Sequence, residues 1–290
     1  MQPEKHHPLD QTLLERLHLP MDATLRLRLM RGLIHLVDGT SRAFFRKPFF
    51  GLRECEALWQ ELDMATDVDL VDALLALKGG TALDPHGLEH IPETGPALIA
   101  STHPTGPFDF IAHAGTLLKR RPDLKVVANN DARTFLGADR IVSVRVNRHN
   151  RALSARATVA GMEAHLRDGG ALLIFGSGRV PRRAGSGLIE PRWRSGTTRV
   201  SESCNVPIIP ASIDVRNSRY YYRLRHLAWR LSGSDNFAVT VGSLRYLIEM
   251  LDQLGGRYDL HYGTPLAPGS PPELIQKKAE SLVPGLYYGT

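Results

Sequence analysis

The chain has 290 residues, of which 42% are hydrophobic and 23% are charged, a balance typical of a folded protein with a buried core. This composition argues against disorder, and no stretch approaches eighteen uninterrupted apolar residues, which excludes a membrane-spanning helix. The net charge is +6, but residues 119–230 hold 20 Arg and 2 Lys against 8 acidic residues, a net charge of +14 for that segment. We therefore expect an anionic partner for it.

The amino-terminal segment has no apolar run behind basic residues, so no secretory signal is expected. Cys55 and Cys204 stand far apart and outside any CxxC motif, a pattern that favours reduced thiols. Together these two features predict a cytoplasmic protein.

Residues 1–80 are predicted to form a helical extension. Apolar residues recur at roughly helical spacing, interleaved with Arg26, Arg28 and Arg31; they are Leu25, Leu29, Leu33, Ile34 and Leu36. Such a basic amphipathic helix lies either on an anionic membrane surface or against a protein core with its arginines exposed, and the pattern slightly favours the core. A second periodic segment follows at residues 66–77 and ends before two glycines.

Beyond residue 80, short β-like runs alternate with helical stretches, which is typical of βαβ units. We expect residues 81–290 to form one α/β domain, with a mostly parallel central sheet flanked by helices. The predicted strands are residues 97–102, 124–128, 141–146, 171–175, 206–213 and 258–262. The predicted helices are residues 107–119, 152–167, 197–204, 243–254 and 272–282.

One candidate site lies where the first of these strands ends. His103 follows the strand, and Asp109 falls in the first turn of the next helix, which Pro107 is suited to open. Ligands of open α/β sheets bind beyond the carboxyl ends of strands, and a carboxylate can orient a histidine that acts as a base. An Asp in a first helical turn also favours the helix dipole without any chemistry, so the pair by itself leaves both interpretations open.

A second loop of small and basic residues, 176–183, follows the strand 171–175. Its backbone N–H groups and its arginines would suit a phosphate or a carboxylate, although a solvated surface turn has the same composition. The loop lacks the P-loop pattern, and Ser177 lacks the spacing of a nucleophile elbow. If the sheet is parallel, this loop and the His103 loop emerge at the same edge.

Four segments in order resemble the sequence blocks of the lysophospholipid and glycerolipid acyltransferases. They are residues 87–103, 132–137, 175–179 and 206–213. Five residues separate His103 from Asp109 where the family usually has four, and this His-x5-Asp form resembles the haemolysin-like or lyso-ornithine-lipid branch. The third block lacks the Glu and Thr of the usual Phe-Pro-Glu-Gly-Thr-Arg pattern, and its Arg is matched by Arg179.

The resemblance implies transfer of a fatty acyl group from an acyl thioester, either acyl-CoA or an acyl-carrier protein, to a hydroxyl of a lyso-lipid. His103 would be the general base, oriented by Asp109, with no cofactor and no metal. The turn at Thr105 and Gly106 is a candidate source of oxyanion donors. The acceptor head or phosphate would be bound by Arg133, Ser177, Gly178, Arg179 and Arg182.

Other functions stay open on the sequence. The acceptor could instead be a small amine or hydroxyl compound, or the chain could bind lipids or a carrier protein without catalysis. Nucleic acid is not expected, because the arginines are not interleaved with stacking aromatics, and the absence of HExxH argues against a metallohydrolase. We expect an anionic membrane surface as a partner and a peripheral position on the inner face of the membrane. The oligomeric state is left open.

Overall fold

Two compact units make up the structure, a computed structural model. One unit comprises residues 1–65 and 217–253, and the other comprises residues 66–216 and 254–290. The boundary predicted at residue 80 differs from this division, because residues 66–80 group with the α/β unit and residues 217–253 group with the helical one. The described residues are 9–10, 13–14, 20, 22–62, 65, 67–129, 137–144 and 151–289, with the backbone alone for 138 and 151–154.

The helices of the described residues follow the predicted pattern closely in the α/β unit. They are α1 (Thr24–Phe45), α2 (Leu52–Glu61), α3 (Asp67–Ala76), α4 (Pro107–Leu117), α5 (Arg151–Arg167), α6 (Gly196–Cys204), α7 (Arg219–Ser232), α8 (Asp235–Ser243), α9 (Tyr246–Gln253) and α10 (Pro272–Ser281). The sequence did not predict α7 or α8. The tyrosine-rich run 220–225 lies on α7.

The strands form one seven-stranded sheet and one separate hairpin. They are β1 (Ala82–His86), β2 (Ala97–Ser101), β3 (Lys125–Asn129), β4 (Ile141–Val144), β5 (Ala171–Phe175), β6 (Arg182–Ala184), β7 (Gly187–Ile189), β8 (Ile208–Ile213) and β9 (Arg257–Tyr262). The sheet order is β1-β9-β8-β2-β5-β3-β4, and β6 pairs with β7. Every neighbouring pair in the large sheet is parallel except β8 with β9. The predicted mostly parallel α/β fold is therefore confirmed.

The centre of the sheet is its most buried part. Every residue of β2 and of β8 is buried, as expected for parallel strands that are covered by helices on both faces. The sequence missed β1, an edge strand whose residues alternate between exposed and half-buried. It contains Pro85, which a strand accommodates at an edge because proline cannot donate to a neighbour.

In the helical unit, two buried carboxylates tie distant segments together. Asp38 on α1 accepts hydrogen bonds from the four backbone N–H groups of residues 49–52, where α2 begins. Glu249 on α9 accepts from the backbone and hydroxyl of Ser218 and pairs with the buried Arg245. Arg245 also donates to the Phe49 carbonyl, and this contact joins residues 217–253 to the amino-terminal helices of the same unit.

The leucine stripe of α1 is exposed. Leu25, Leu29, Leu33 and Leu36 are between 55% and 70% exposed, and Arg26 and Arg28 are exposed beside them. The core-facing interpretation is therefore wrong for these four leucines, whereas Ile34 of the same predicted pattern is buried, on a face that also carries Leu27 and Asp38. Over the described residues, every helix is too short or too polar to cross a membrane.

Candidate active site

His103 and Asp109 lie together at the carboxyl end of β2. The strand ends at Ser101, and α4 begins at Pro107 after a turn in which Gly106 adopts a positive φ of 103°, a conformation that favours glycine. Nδ1 of His103 lies 2.9 Å from Oδ2 of Asp109. The Asp109 side chain is fully buried, whereas that of His103 keeps 19% of its surface exposed. The pair thus has a fixed carboxylate beneath an accessible imidazole.

Three donors hold the Asp109 carboxylate in place. Oδ2 accepts hydrogen bonds from the backbone N–H groups of Thr105, at 2.9 Å, and Gly106, at 3.0 Å. Oδ1 accepts from the Thr105 hydroxyl. The turn at Thr105 and Gly106 was predicted to supply oxyanion donors. In this structure the two backbone N–H groups donate to the Asp109 carboxylate, and their oxyanion role stays an untested prediction.

The loop that contains His103 and the loop of residues 176–183 emerge at the same edge of the sheet, as expected for a parallel sheet. Ser101 of β2 is in register with Phe175 of β5. The Phe175 ring stacks on the His103 imidazole, with centroids 4.1 Å apart and planes inclined by 22°. Phe175 therefore limits the rotation of the imidazole.

The residues 176–179 form a tight turn behind Phe175. The Gly178 N–H donates to the Phe175 carbonyl at 3.0 Å, and Gly178 itself has a positive φ of 63°. The Ser177 hydroxyl lies 2.7 Å from Oε1 of Glu190 and 2.9 Å from the Arg179 carbonyl. A side chain at Gly176 would approach Cδ2 of Trp193 to 2.0 Å, so the close packing of that indole requires glycine here.

The predicted acceptor-binding residues differ in their accessibility. Arg182 is exposed on β6, Arg179 is half-buried and Gly178 is exposed. Ser177 is 2% exposed and its hydroxyl contacts Arg179 and Glu190 inside the turn, and its role in acceptor binding stays a prediction. Arg133 lies outside the described residues.

Glu190 is a site residue that the sequence analysis missed. It follows β7 in the chain and is 6% exposed. Burial, together with the nearby carboxylates of Glu280 and Asp109, raises the pKa of Glu190 to about 8, although the Ser177 contact opposes the shift. The only signal in the sequence is a lone acidic residue in an Arg-rich segment, which does not distinguish a buried carboxyl from a surface one.

His113 is a second buried group near the site. Its Nε2 lies 2.9 Å from the Ser101 hydroxyl, and its Nδ1 lies 3.0 Å from the Tyr262 hydroxyl. Burial lowers the pKa of His113 to about 4. Both ring nitrogens have partners inside the protein, so His113 contributes to the support of the site rather than to proton transfer with a substrate.

Among the described residues, one group has the geometry to hold a metal ion. The ligand atoms of Asp84, His86 and Asp259 lie within 4.8 Å of one another on β1 and β9. All three side chains are exposed, and the pair of His86 with Asp259 at 3.1 Å accounts for the closest contact. The proximity therefore has an explanation without a metal, and the expectation that the chain has no metal site stays a prediction.

Comparison with known proteins agrees with the four sequence blocks. A family model described as Acyltransferase matches residues 62–272, a range that contains all four. The lyso-glycine lipid O-acyltransferase of Phocaeicola vulgatus is 24% identical over 199 residues, which cover 69% of this chain and 66% of that relative, slightly less than two thirds of its length. The crystal structure of the 1-acyl-sn-glycerophosphate (LPA) acyltransferase PlsC from Thermotoga maritima aligns with a TM-score of 0.43 at 16% identity, over 94% of this chain and 93% of that one. Because the family model spans more than half of the chain, and its range includes both His103 and Asp109, the chain belongs to the acyltransferase family.

Proposed function

We propose that this protein transfers a fatty acyl group from an acyl thioester to a hydroxyl of a lyso-lipid, with His103 as the general base. The observation that carries the proposal is the 2.9 Å contact of His103 with a buried and fully hydrogen-bonded Asp109 at the carboxyl edge of the sheet. The name of the Phocaeicola relative, a lyso-lipid O-acyltransferase, supports a hydroxyl acceptor.

The chemistry follows from the protonation of the imidazole. Contact with Asp109 favours the tautomer that carries its proton on Nδ1, which leaves Nε2 of His103 free to accept one. The acceptor oxygen attacks the thioester carbonyl carbon while Nε2 takes the hydroxyl proton. The carbon–sulfur bond then breaks, and the leaving thiolate takes that proton from the imidazolium. General-base help of this kind typically contributes about 10²–10⁴ in rate.

Substrate binding is assigned to the basic loop beside the imidazole. Arg179 and Arg182 lie on the segment that follows β5, whose last residue stacks on His103. Guanidinium groups suit the phosphate or carboxylate of an acceptor head. The remaining positive surface of residues 119–230 would attract the phosphates of CoA or an acidic acyl-carrier protein. The reaction as written consumes no cofactor.

The proposal includes a peripheral position on the cytoplasmic face of the membrane. The exposed leucines of α1 stand beside Arg26 and Arg28, a combination that suits an interface of acyl chains and anionic headgroups. A lyso-lipid acceptor and its acylated product both reside in such a surface. The enzyme would therefore meet its acceptor at that surface.

Thiol release tests the proposal directly. Purified wild-type protein and the variants His103→Ala and Asp109→Asn would be mixed with acyl-CoA or acyl-carrier protein, with and without lyso-glycine lipid, lyso-ornithine lipid or lysophosphatidic acid. We expect acceptor-dependent release that falls by about 10²–10⁴ in His103→Ala, because the general base is lost. The exposed His226 provides a matched control, since His226→Ala removes an imidazole from α7 and leaves the site intact.

Each outcome assigns a different function. Release that survives in His103→Ala contradicts the general-base role. Release that appears only with small amine or hydroxyl acceptors replaces the lyso-lipid with a small molecule. A folded wild-type protein without release on any donor and acceptor favours a binding protein of the same family.

A further inference from the structure

The carboxyl group of Glu190 contacts the turn at residues 176–179 from the interior of the protein. Oε1 lies 2.7 Å from the Ser177 hydroxyl, and Glu190 is only 6% exposed. Its other oxygen, Oε2, is also buried and has no hydrogen-bond partner of good geometry among the described residues, although the Trp193 indole lies near enough to lower the pKa of the carboxyl. A charged carboxylate at this position would be poorly solvated.

The Ser177 hydroxyl can donate only one hydrogen bond, and two acceptors surround it. The Arg179 carbonyl lies 2.9 Å from Oγ, and Glu190 Oε1 lies 2.7 Å away, while the Arg179 N–H donates to the same Oγ at 3.2 Å. All three contacts are satisfied together only if Glu190 is protonated and donates to Ser177. If Glu190 ionises, the hydroxyl proton turns toward the carboxylate and the Ser177 hydrogen bond to the Arg179 carbonyl is lost.

The groups around Glu190 favour the neutral form. The carboxylates of Glu280 on α10 and Asp109 on α4 raise its pKa, as does burial, and the Tyr287 hydroxyl near the carboxyl terminus belongs to the same buried cluster. Trp193 acts in the opposite direction, and so does Ser177 where its hydroxyl donates to the carboxylate. The balance places the pKa of Glu190 at about 8. At neutral pH most molecules would therefore have a donor at this position.

We propose that Glu190 is a positioning residue, whose protonated carboxyl holds the Ser177–Arg179 turn and thereby aims Arg179 at the anionic head of the acceptor. Ionisation of Glu190 would break the hydrogen bond from the Ser177 hydroxyl to the Arg179 carbonyl, and the Arg179 side chain would then be held less firmly toward the acceptor. The inference rests on the proposed function, since it assigns Arg179 to the acceptor. It adds a buried residue thirteen positions beyond Ser177 that no sequence block contains.

The kinetic test compares the acceptor KM at about pH 7 and about pH 9, on either side of the Glu190 transition. For the wild type we expect KM to rise about five- to tenfold, as loss of one hydrogen bond predicts, with kcat for saturating acceptor changed less than KM. Glu190→Gln keeps a neutral donor of the same shape, so its KM should stay low at both values. Ser177→Ala removes the contact from the other side and should have a raised KM throughout. Glu273→Gln on α10, an exposed carboxylate, is the matched control and should behave as wild type.

A spectroscopic arm separates this proposal from the proposed function. Infrared difference spectra should show a protonated carboxyl that titrates near pH 8 in the wild type and is missing in Glu190→Gln. If that band titrates but the acceptor KM does not change over the same pH interval, Glu190 does not position Arg179, and the proposed acyl transfer is unaffected. An alkaline rise of KM that persists in Glu190→Gln also overturns the proposal. If no donor and acceptor pair is turned over, the proposed function fails, and the band still reports whether the buried carboxyl is neutral. If the wild type has no such band, the inference is overturned whatever the kinetics. If Glu190→Gln does not fold, Ser177→Ala is measured in its place, and an absent band in that protein also overturns the inference.

Discussion

The imidazole of His103 stacks on the ring of Phe175, with centroids 4.1 Å apart, although 72 positions separate the two residues in the chain. The contact exists because β2 and β5 are adjacent and parallel, with Ser101 in register with Phe175. Asp109 lies against one ring nitrogen, at 2.9 Å, while Phe175 covers one ring face. An imidazole constrained in both ways has little freedom to leave the geometry that proton transfer needs.

Replacing this aromatic ring should slow catalysis more than it weakens binding. Ring stacking of this type contributes about 0.5–1.5 kcal/mol, so Phe175→Leu should lower kcat about two- to tenfold with little change in acceptor KM. Steady-state thiol-release kinetics would measure the effect. Phe175→Tyr should retain most of the activity, and the exposed Phe237→Leu is the control. An unchanged kcat in a folded Phe175→Leu protein would show that the stack has no catalytic role.

Removing Arg179 should weaken acceptor binding. Arg179→Ala is expected to raise the acceptor KM about tenfold or more while kcat changes less, since a charge-assisted contact to the acceptor head is lost in both ground and transition states. Arg183 on β6 is exposed and bonds only to the local Gly185 carbonyl among its described contacts, so Arg183→Ala provides the comparison. An Arg179→Ala protein that loses only folding stability would remove Arg179 from the acceptor site.

The stability of the fold should depend on pH through His113. The folded protein holds His113 with a pKa of about 4, below its usual value of 6.5, so the unfolded chain binds the proton more readily. The native state is thus fully stabilised by neutral His113 above about pH 6.5, and this stabilisation is lost as pH falls toward 4, by about 3 kcal/mol.

Denaturant unfolding at a series of pH values would measure this dependence. The difference between wild type and His113→Gln should change across the interval from 6.5 to 4 and be flat above it. His86→Gln, at an exposed position on β1, should follow the wild type. Parallel curves for wild type and His113→Gln would mean that His113 is protonated in the folded state as easily as in the unfolded one.

Membrane binding should depend on the leucine stripe of α1. The double variant Leu29→Ser and Leu33→Ser removes two exposed side chains, whose burial in lipid would contribute about 1.5–3 kcal/mol each, so affinity for vesicles with anionic lipid should fall at least tenfold. Thermal stability should hardly change, because both side chains are exposed. Leu274→Ser on α10 serves as the matched control in a vesicle sedimentation assay. Equal sedimentation of all three proteins would assign the stripe to another partner.

Local patterns predicted most elements of the α/β unit. Continuous apolar runs at 97–102, 171–175 and 206–213 became the three central strands of the sheet, each within two residues of its predicted bounds. Amphipathic patterns were less informative. The leucines of α1 have a helical period whether the stripe contacts a core or the solvent, so the pattern predicted the helix but not the face that is buried.

The sequence by itself determined the α/β class, the family blocks and the placement of His103 and Asp109 on one turn. These features depend on residues a few positions apart, and strand–turn–helix geometry fixes their relation. Only the tertiary structure decided that Phe175 covers His103, that Glu190 meets Ser177, and that residues 217–253 join the amino-terminal helices. Those relations depend on strand order and on burial. The residue type alone does not show whether a carboxyl or imidazole group is solvated by water or buried in the core. That difference in burial determines its protonation state and its role.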